Sequence, residues 1–203
     1  MSHPNYKLTY LDIRGWGETA RFIFAYKGIP YEDVRFSRDE LPAMKATMPF
    51  RMAPILTVDG KVYGQSGAFS RMLAKRYGLA GKDDEEQAHV DAIYDYGKDI
   101  WAATVKWWFE PDPAKQKAMN FDKTLDEFLE VLESHLTGYG GGQFFAPSGV
   151  TFADFFIATI LTIIDERIPG TLARHSAIKE HVNRVHNLPG IKEWVAVRPK
   201  SEF

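Results

Sequence analysis

The chain of 203 residues sets 25 Lys and Arg against 27 Asp and Glu, and its formal net charge of −2 offers no electrostatic hold on nucleic acid or on an anionic membrane surface. Hydrophobic residues make up 45% and charged residues 26%, the proportions of a soluble globular protein with ample chain to bury a core. Cysteine is absent, which excludes disulfides, thiolate metal sites and a nucleophilic protein thiol, so a thiol that takes part in the chemistry must arrive with a substrate.

No apolar run reaches the ~18 residues of a membrane span. The start, MSHPNYKLTY, lacks the basic and apolar regions of a signal peptide, so a cytoplasmic protein is expected. Of the histidines, only His181 and His186 have a metal-like spacing; with no cysteine to complete a site, they read as surface or packing residues.

The N-terminal segment alternates strand and helix signals. YKLTY places Tyr6, Leu8 and Tyr10 on one face of a strand. GETARFIFAYKG follows, with Ala20, Ile23 and Phe24 at helical spacing and Gly28 as a C-terminal stop. YEDVRF reads as a second strand, LPAMKAT as a short helix, and PILTV and KVYG as a hairpin about Asp59-Gly60. Ser66 is placed to cap a helix over GAFSRMLAKRY that stops at Gly78. The order β-α-β-α-β-β-α predicts a small mixed sheet covered by helices, a thioredoxin-like scaffold without the Cys-x-x-Cys motif.

After a linker over 79–83, helical patterns dominate. EEQAHVDAIYDYGKDIWAATVKWW puts Val90, Ile93, Ile100 and Trp101 broadly on one side. PAKQKAMNFDKTLDEFLEVLESHL, with Pro113 in its first turn, places Phe121, Leu125, Phe128, Leu129 and Leu132 three and four apart. TGYGGGQFFAPSG is a loop. TFADFFIATILTIIDE is apolar almost all round and predicts a buried central helix, with Thr151 as cap, Asp154 reaching back to the Thr151 amide, and Val150 and Phe155 as a hydrophobic staple. Two shorter helices, about 176–187 and 190–197, complete the bundle. The fold class is therefore α+β: a thioredoxin-like domain with a four-stranded mixed sheet over residues 1–78, then an all-helical domain over 84–203.

The motifs NYKLTYLDIRGWGETARFIFAYKGIPYEDVRF, MPFRMAPILTVDGK, QSGAFSRMLAKRYGLAGK, GVTFADF and LPGIKEWVAVRP occur in that order. In this the chain resembles the cytosolic glutathione transferases, and most closely their sigma class, which includes haematopoietic prostaglandin D synthase. The resemblance is strong at the N-terminus and weaker between about 103 and 145. It implies glutathione as co-substrate and Tyr10 as the catalytic residue. A thiol with a pKa near ~8.5 is mostly protonated at neutral pH, whereas a phenol near ~10 keeps its proton and donates it in a hydrogen bond that favours thiolate. Without the resemblance, Tyr10 on an alternating strand reads as a core aromatic.

The resemblance further implies that Pro54 is cis and that Ala53 before it presents its backbone to the cysteinyl part of glutathione. Gln65 and Ser66 match the pair that holds the γ-glutamyl carboxylate at a helix N-terminus. Asp99 matches an acid that reaches the γ-glutamyl amine from a neighbouring subunit, and Lys45 a lysine near the glycyl carboxylate; alone, each reads as a solvated surface charge. Glu18 and Arg21 fit the pattern and read as structural, as do Thr151 and Asp154.

The chain also departs from the pattern. Trp16 stands where the class usually has an arginine whose charge supports the tyrosine and thiolate. Leu41 replaces a tryptophan near the glycyl end. Met52 takes a lysine position before the proline, and Arg51 replaces a glycine. These changes bear on glutathione affinity. Of the acidic cluster that binds a divalent cation in haematopoietic prostaglandin D synthase, Asp95 and Asp99 remain but Lys98 intrudes, so no metal is expected.

The resulting expectation is an enzyme that conjugates glutathione to apolar electrophiles, with Leu11, Trp16, Trp101, Trp108 and Phe203 as walls of the second pocket. Trp101 and Trp108 read equally well as bundle core. Two alternatives stand beside it: a glutathione-dependent isomerase or peroxidase acting on a prostaglandin-type peroxide, and a non-catalytic crystallin-like or binding protein of the same fold. The resemblance also implies a homodimer, and no nucleic-acid or membrane partner is expected.

Overall fold

The computed structural model describes residues 3–201. In chain order its elements are β1 (Tyr6–Leu11), α1 (Glu18–Lys27), β2 (Glu32–Phe36), α2 (Leu41–Thr47), β3 (Ile55–Val58), β4 (Lys61–Tyr63), α3 (Ser66–Tyr77), α4 (Asp84–Trp108), α5 (Pro113–Ala118), α6 (Phe121–Thr137), α7 (Phe152–Arg167), α8 (Ser176–His186) and α9 (Ile191–Val197). The fold is α+β, a mixed sheet with helices followed by a helical bundle. Two units are formed, one by the described residues of Met1–Leu79 and His186–Phe203, the other by Ala80–Val185.

In the first unit the strand order is β2-β1-β3-β4, with β1 parallel to β2 and antiparallel to β3, and β3 antiparallel to β4. The β1–β2 crossover runs through α1, as parallel pairing requires. The β3–β4 turn has Asp59 at φ 47° and Gly60 at φ 82°, the left-handed pair that matches strand twist in a tight hairpin. Leu8, Leu56, Ile23, Phe24, Phe69 and Leu73 make the core between the sheet and α1 and α3, while Phe22 meets His186 and Arg198.

The last helix belongs to this unit, whereas the sequence groups it with the helical domain. The reason lies in Glu18 of α1, whose side chain is fully buried. It accepts hydrogen bonds from Trp194 Nε1 at 2.8 Å and from Arg198 Nη1 at 2.9 Å. A buried carboxylate left without donors is costly, so the chain end is drawn to it.

In the second unit, α7 is buried along nearly its whole length, as its all-round apolarity predicts. Tyr94 of α4 packs on Phe152 and Phe156 of α7, with ring centroids 5.0 and 4.5 Å apart. Gly97 permits this approach: a Cβ there would fall 2.7 Å from Ile157 Cδ1 and 3.1 Å from the Phe156 ring. The helix starts where Asp154 takes the amide and hydroxyl of Thr151, each at 2.7 Å. One helical stretch differs from its pattern. Instead of one helix from Pro113, the chain breaks between α5 and α6 at Asn120, which is left-handed at φ 46°. Asparagine tolerates that conformation, and PAKQKA buries nothing that would hold the two pieces in line. No helix among the described residues is long and apolar enough to cross a membrane.

Candidate active site

The carboxyl ends of the parallel strands β1 and β2 lie side by side, with Tyr10 paired to Arg35 and Leu11 to Phe36. Tyr10 ends the buried run of β1 at 4% exposure. The chain then turns through Asp12–Gly17, and the Trp16 amide comes back to donate to the Tyr10 hydroxyl at 3.4 Å. A phenol has one proton to give and lone pairs to receive. With the amide on a lone pair, the proton remains for another acceptor.

The turn holds Tyr10 by close approach. Gly15 sits at φ 36°, and a Cβ there would lie 2.9 Å from the hydroxyl oxygen. A side chain at this position would meet the Tyr10 hydroxyl. Burial pushes the Tyr10 pKa up to about 12, while the Trp16 amide and the charges of Arg21 and Arg38 pull the other way. The net effect keeps the phenol protonated across the neutral range.

A buried charge network fixes the turn. Arg21, fully enclosed, donates from Nη1 to the Ile13 carbonyl at 2.7 Å and to Glu18 at 3.1 Å, and its Nε meets Asp33 at 3.2 Å. Arg35 bridges Asp33 and Asp12. Reading Glu18 and Arg21 as structural residues agrees with these contacts.

The Ala53–Pro54 peptide bond is cis, as the resemblance implies, and Met52 before it has extended backbone, with φ −135° and ψ 143°. Gln65 Nε2 lies 3.7 Å from Met52 Sδ, so those two expected site residues meet. Gln65, at φ 63°, is the N-cap of α3; Ser66 is the first helical residue and not the cap, a correction to the sequence expectation. The Gln65 carbonyl takes the amides of Ala68 and Phe69, which leaves the first amides of α3 at the helix start. Leu41 and Lys45 lie on α2, half-buried and exposed respectively. Leu11 and Trp16 are half-buried beside Tyr10 in sequence and strand position.

Three expected residues belong to the second unit. Asp99 is exposed on α4, and its neighbour Lys98 pairs with Asp95 at 3.3 Å. Trp101 is buried and Trp108 half-buried, their rings perpendicular at 5.7 Å, with the Arg167 guanidinium 5.3 Å from the Trp108 ring centre. Phe203 lies outside the described residues. No group of three or more His, Asp or Glu side chains among the described residues is arranged to hold a metal ion.

Two features had no counterpart in the sequence expectations. Arg38, in the turn after β2, is the least of the influences that lower the Tyr10 pKa; the signal available was the SRDE turn at the end of a strand parallel to β1. Phe50, left-handed at φ 58°, leaves its ring 71% exposed, and periodicity carries no sign of that.

The profile of the glutathione S-transferase N-terminal domain matches residues 15–83, and that of the C-terminal domain matches 98–198. Glutathione S-transferase 1 of Ascaris suum is 39% identical over 206 residues, covering 98% of this chain and 100% of the relative. Haematopoietic prostaglandin D synthase of Gallus gallus is 39% identical over 201 residues, covering 98% of each chain. The crystal structure of a glutathione S-transferase of the hookworm Necator americanus, described as monomeric, superposes with a TM-score of 0.89 at 35% identity, covering 98% of this chain and 100% of that one. With both domain profiles matched in order and relatives aligned end to end, the chain belongs to the glutathione S-transferases, enzymes that take glutathione as co-substrate.

Proposed function

We propose that the chain stabilises the glutathione thiolate beside the Tyr10 hydroxyl and conjugates it to apolar electrophiles. The observation that carries this reading is a buried phenol, kept protonated, whose proton is left for a ligand because the Trp16 amide takes a lone pair. Donation to sulfur favours the charged form of the thiol, which gives up its proton to solvent. The thiolate then attacks an electrophilic carbon. On chlorodinitrobenzene the C–S bond forms and chloride leaves with its bonding pair. Tyr10 keeps its own proton throughout.

The rest of the site is assigned around that sulfur. The extended backbone at Met52, just before the cis Ala53–Pro54 bond, suits strand-like pairing of this segment with the cysteinyl part. Gln65 and Ser66 place free helix amides where the γ-glutamyl carboxylate would gain from them. Leu41, Lys45 and Met52 serve the glycyl end, with Lys45 as the cation. Leu11 and Trp16 of the first unit are the residues assigned to the apolar electrophile. Sigma-class membership and a cytoplasmic setting belong to the same reading.

Chromatography on glutathione–agarose, followed by a chlorodinitrobenzene assay, tests it. Retention, elution by free glutathione and turnover are expected. Flow-through at millimolar glutathione would overturn the assignment of the binding residues. The identity to a haematopoietic prostaglandin D synthase favours a second reading, isomerisation of prostaglandin H2 with glutathione returned unchanged. Product analysis separates the two, since only conjugation consumes glutathione.

The dimer is part of the proposal. Phe50, Met52, Val62 and Tyr63 of the first unit are large apolar side chains at 71, 53, 47 and 37% exposure. Such exposure suits an isologous partner. In this arrangement Asp99 serves the γ-glutamyl amine of the neighbouring subunit. Sedimentation equilibrium is expected to give a dimer at micromolar concentration, weakened by Phe50→Ser, and Asp99→Ala is expected to lower glutathione affinity. A stable wild-type monomer, as the hookworm relative is described, would contradict it.

A further inference from the structure

The Tyr10 hydroxyl is oriented by a bond near the limit of its range. The Trp16 amide reaches it at 3.4 Å, so a small displacement of the turn over 12–17 would release it. The contacts that hold this turn lead outward from the site. Within it the Gly17 amide donates to the Arg14 carbonyl at 3.2 Å, and from outside Nη1 of the fully buried Arg21 donates to the Ile13 carbonyl at 2.7 Å. That end of Arg21 also stands close to Tyr10. A Cβ at Gly17 would fall 2.7 Å from Tyr10 Cδ1 and 3.5 Å from Arg21 Nη1, so one glycine separates the ring from the guanidinium.

Arg21 is placed in turn by two carboxylates. Its Nε lies 3.2 Å from each oxygen of Asp33, and Nη1 meets Glu18 Oε2 at 3.1 Å. The two oxygens of Glu18 face different ways. Oε2 takes Arg21, while Oε1 takes Trp194 Nε1 at 2.8 Å and Arg198 Nη1 at 2.9 Å. Trp194 lies on α9 and Arg198 is its C-cap. Packing holds both donors: the Arg35 guanidinium is 5.9 Å from the Trp194 ring centre, and that of Arg198 is 5.9 Å from the Phe22 ring centre. No water reaches the buried Glu18 to replace these donors. Without them its carboxylate is drawn to its remaining cation, Arg21, and pulls on the guanidinium that holds the turn.

We propose that α9 takes part in activating the thiol, with Trp194 and Arg198 as positioning residues that act on Tyr10 through Glu18, Arg21 and the Ile13 carbonyl. The Trp16 amide on the hydroxyl lone pair directs the phenol proton toward the ligand and strengthens its donation, because successive hydrogen bonds polarise one another. With the contacts intact, Tyr10 donates fully to the sulfur. With the α9 donors removed, the hydroxyl loses its orientation and the thiol keeps its proton to higher pH. The inference rests on the Tyr10 reading above.

The test follows the ultraviolet absorbance of bound glutathione thiolate against pH, together with the pH profile of kcat/KM for chlorodinitrobenzene. The double variant Trp194→Phe/Arg198→Met keeps a ring and an aliphatic stem but removes both donors. It is expected to raise the bound thiol pKa by about half a unit to one unit. That corresponds to a ~3- to 10-fold loss of kcat/KM on the acid limb, vanishing on the alkaline plateau. Trp194→Phe alone should give a smaller rise, and it decides by the same criterion if the double variant does not fold. Restoring a cation with Arg198→Lys should recover most of what Arg198→Met loses. In a Tyr10→Phe background the α9 substitutions should add nothing, since they act through the missing hydroxyl. Thr151→Ala, a destabilised control in the other unit, should keep the wild-type thiol pKa. A wild-type thiol pKa in the folded, glutathione-bound α9 variants overturns the inference, as does a rise of equal size in Thr151→Ala or a further rise on top of Tyr10→Phe. If Tyr10→Phe raises the thiol pKa and the α9 variants do not, only the role of α9 fails. If Tyr10→Phe has no effect, the Tyr10 reading itself has failed.

Discussion

Tyr10→Phe is expected to lower kcat/KM for chlorodinitrobenzene conjugation roughly 10- to 100-fold and to raise the glutathione dissociation constant by a smaller factor. The substitution removes one oxygen and its proton from a buried position, and the ring remains packed where Gly15 leaves it room. A hydrogen bond to a charged acceptor contributes about 1.5–3 kcal/mol, and this one favours thiolate over thiol. The neutral thiol loses much less, so near neutral pH the defect falls more on reaction than on binding. Steady-state kinetics with glutathione titration checks both halves of the expectation. Equal kcat/KM in the two proteins would remove Tyr10 from the mechanism.

The largest stability effect is expected at Asp154, far from any role in the chemistry. Its fully buried carboxylate accepts from the Phe145 amide at 3.0 Å, from the Thr151 amide and hydroxyl at 2.7 Å each, and from His181 Nε2 at 2.8 Å. It thus ties the glycine-rich loop, the start of α7 and helix α8 to one group. Asp154→Ala leaves all those donors stranded in dry surroundings, at a cost of about 3–5 kcal/mol. Domains of this size have only about 5–15 kcal/mol in total, so the variant should unfold at much lower urea or fail to accumulate. Thr151→Ala removes the hydroxyl but keeps the amide contact, and about 1 kcal/mol is expected. Urea denaturation of the two variants is the check. A smaller loss in Asp154→Ala than in Thr151→Ala would show that the carboxylate does not organise this junction.

Wherever a local rule decided an element, the sequence was enough. The hairpin at Asp59-Gly60, the alternation of β1 and the all-round apolarity of α7 are such cases, and the Thr151–Asp154 contact was visible as a spacing. Elements decided by distant partners were not. Nothing near Trp194 or Arg198 shows that Glu18, a long way back in the chain, needs their donors, so the contact of α9 with the first unit is not visible until the packing is known. The break at Asn120 depends on which residues of PAKQKA find a core, and none does. Tyr10 became a candidate only through the motif that surrounds it, because a strand tyrosine by itself has the pattern of a core residue.

The central claim is that the Tyr10 hydroxyl stabilises a thiolate on bound glutathione, and the measurement closest to it is a spectroscopic titration of that thiol in wild type and Tyr10→Phe, each saturated with glutathione. The wild-type complex should ionise well below the ~8.5 of a free thiol, and the Tyr10→Phe complex should return most of the way toward it. A thiol pKa that is the same in the two complexes, with glutathione bound in both, would contradict the account.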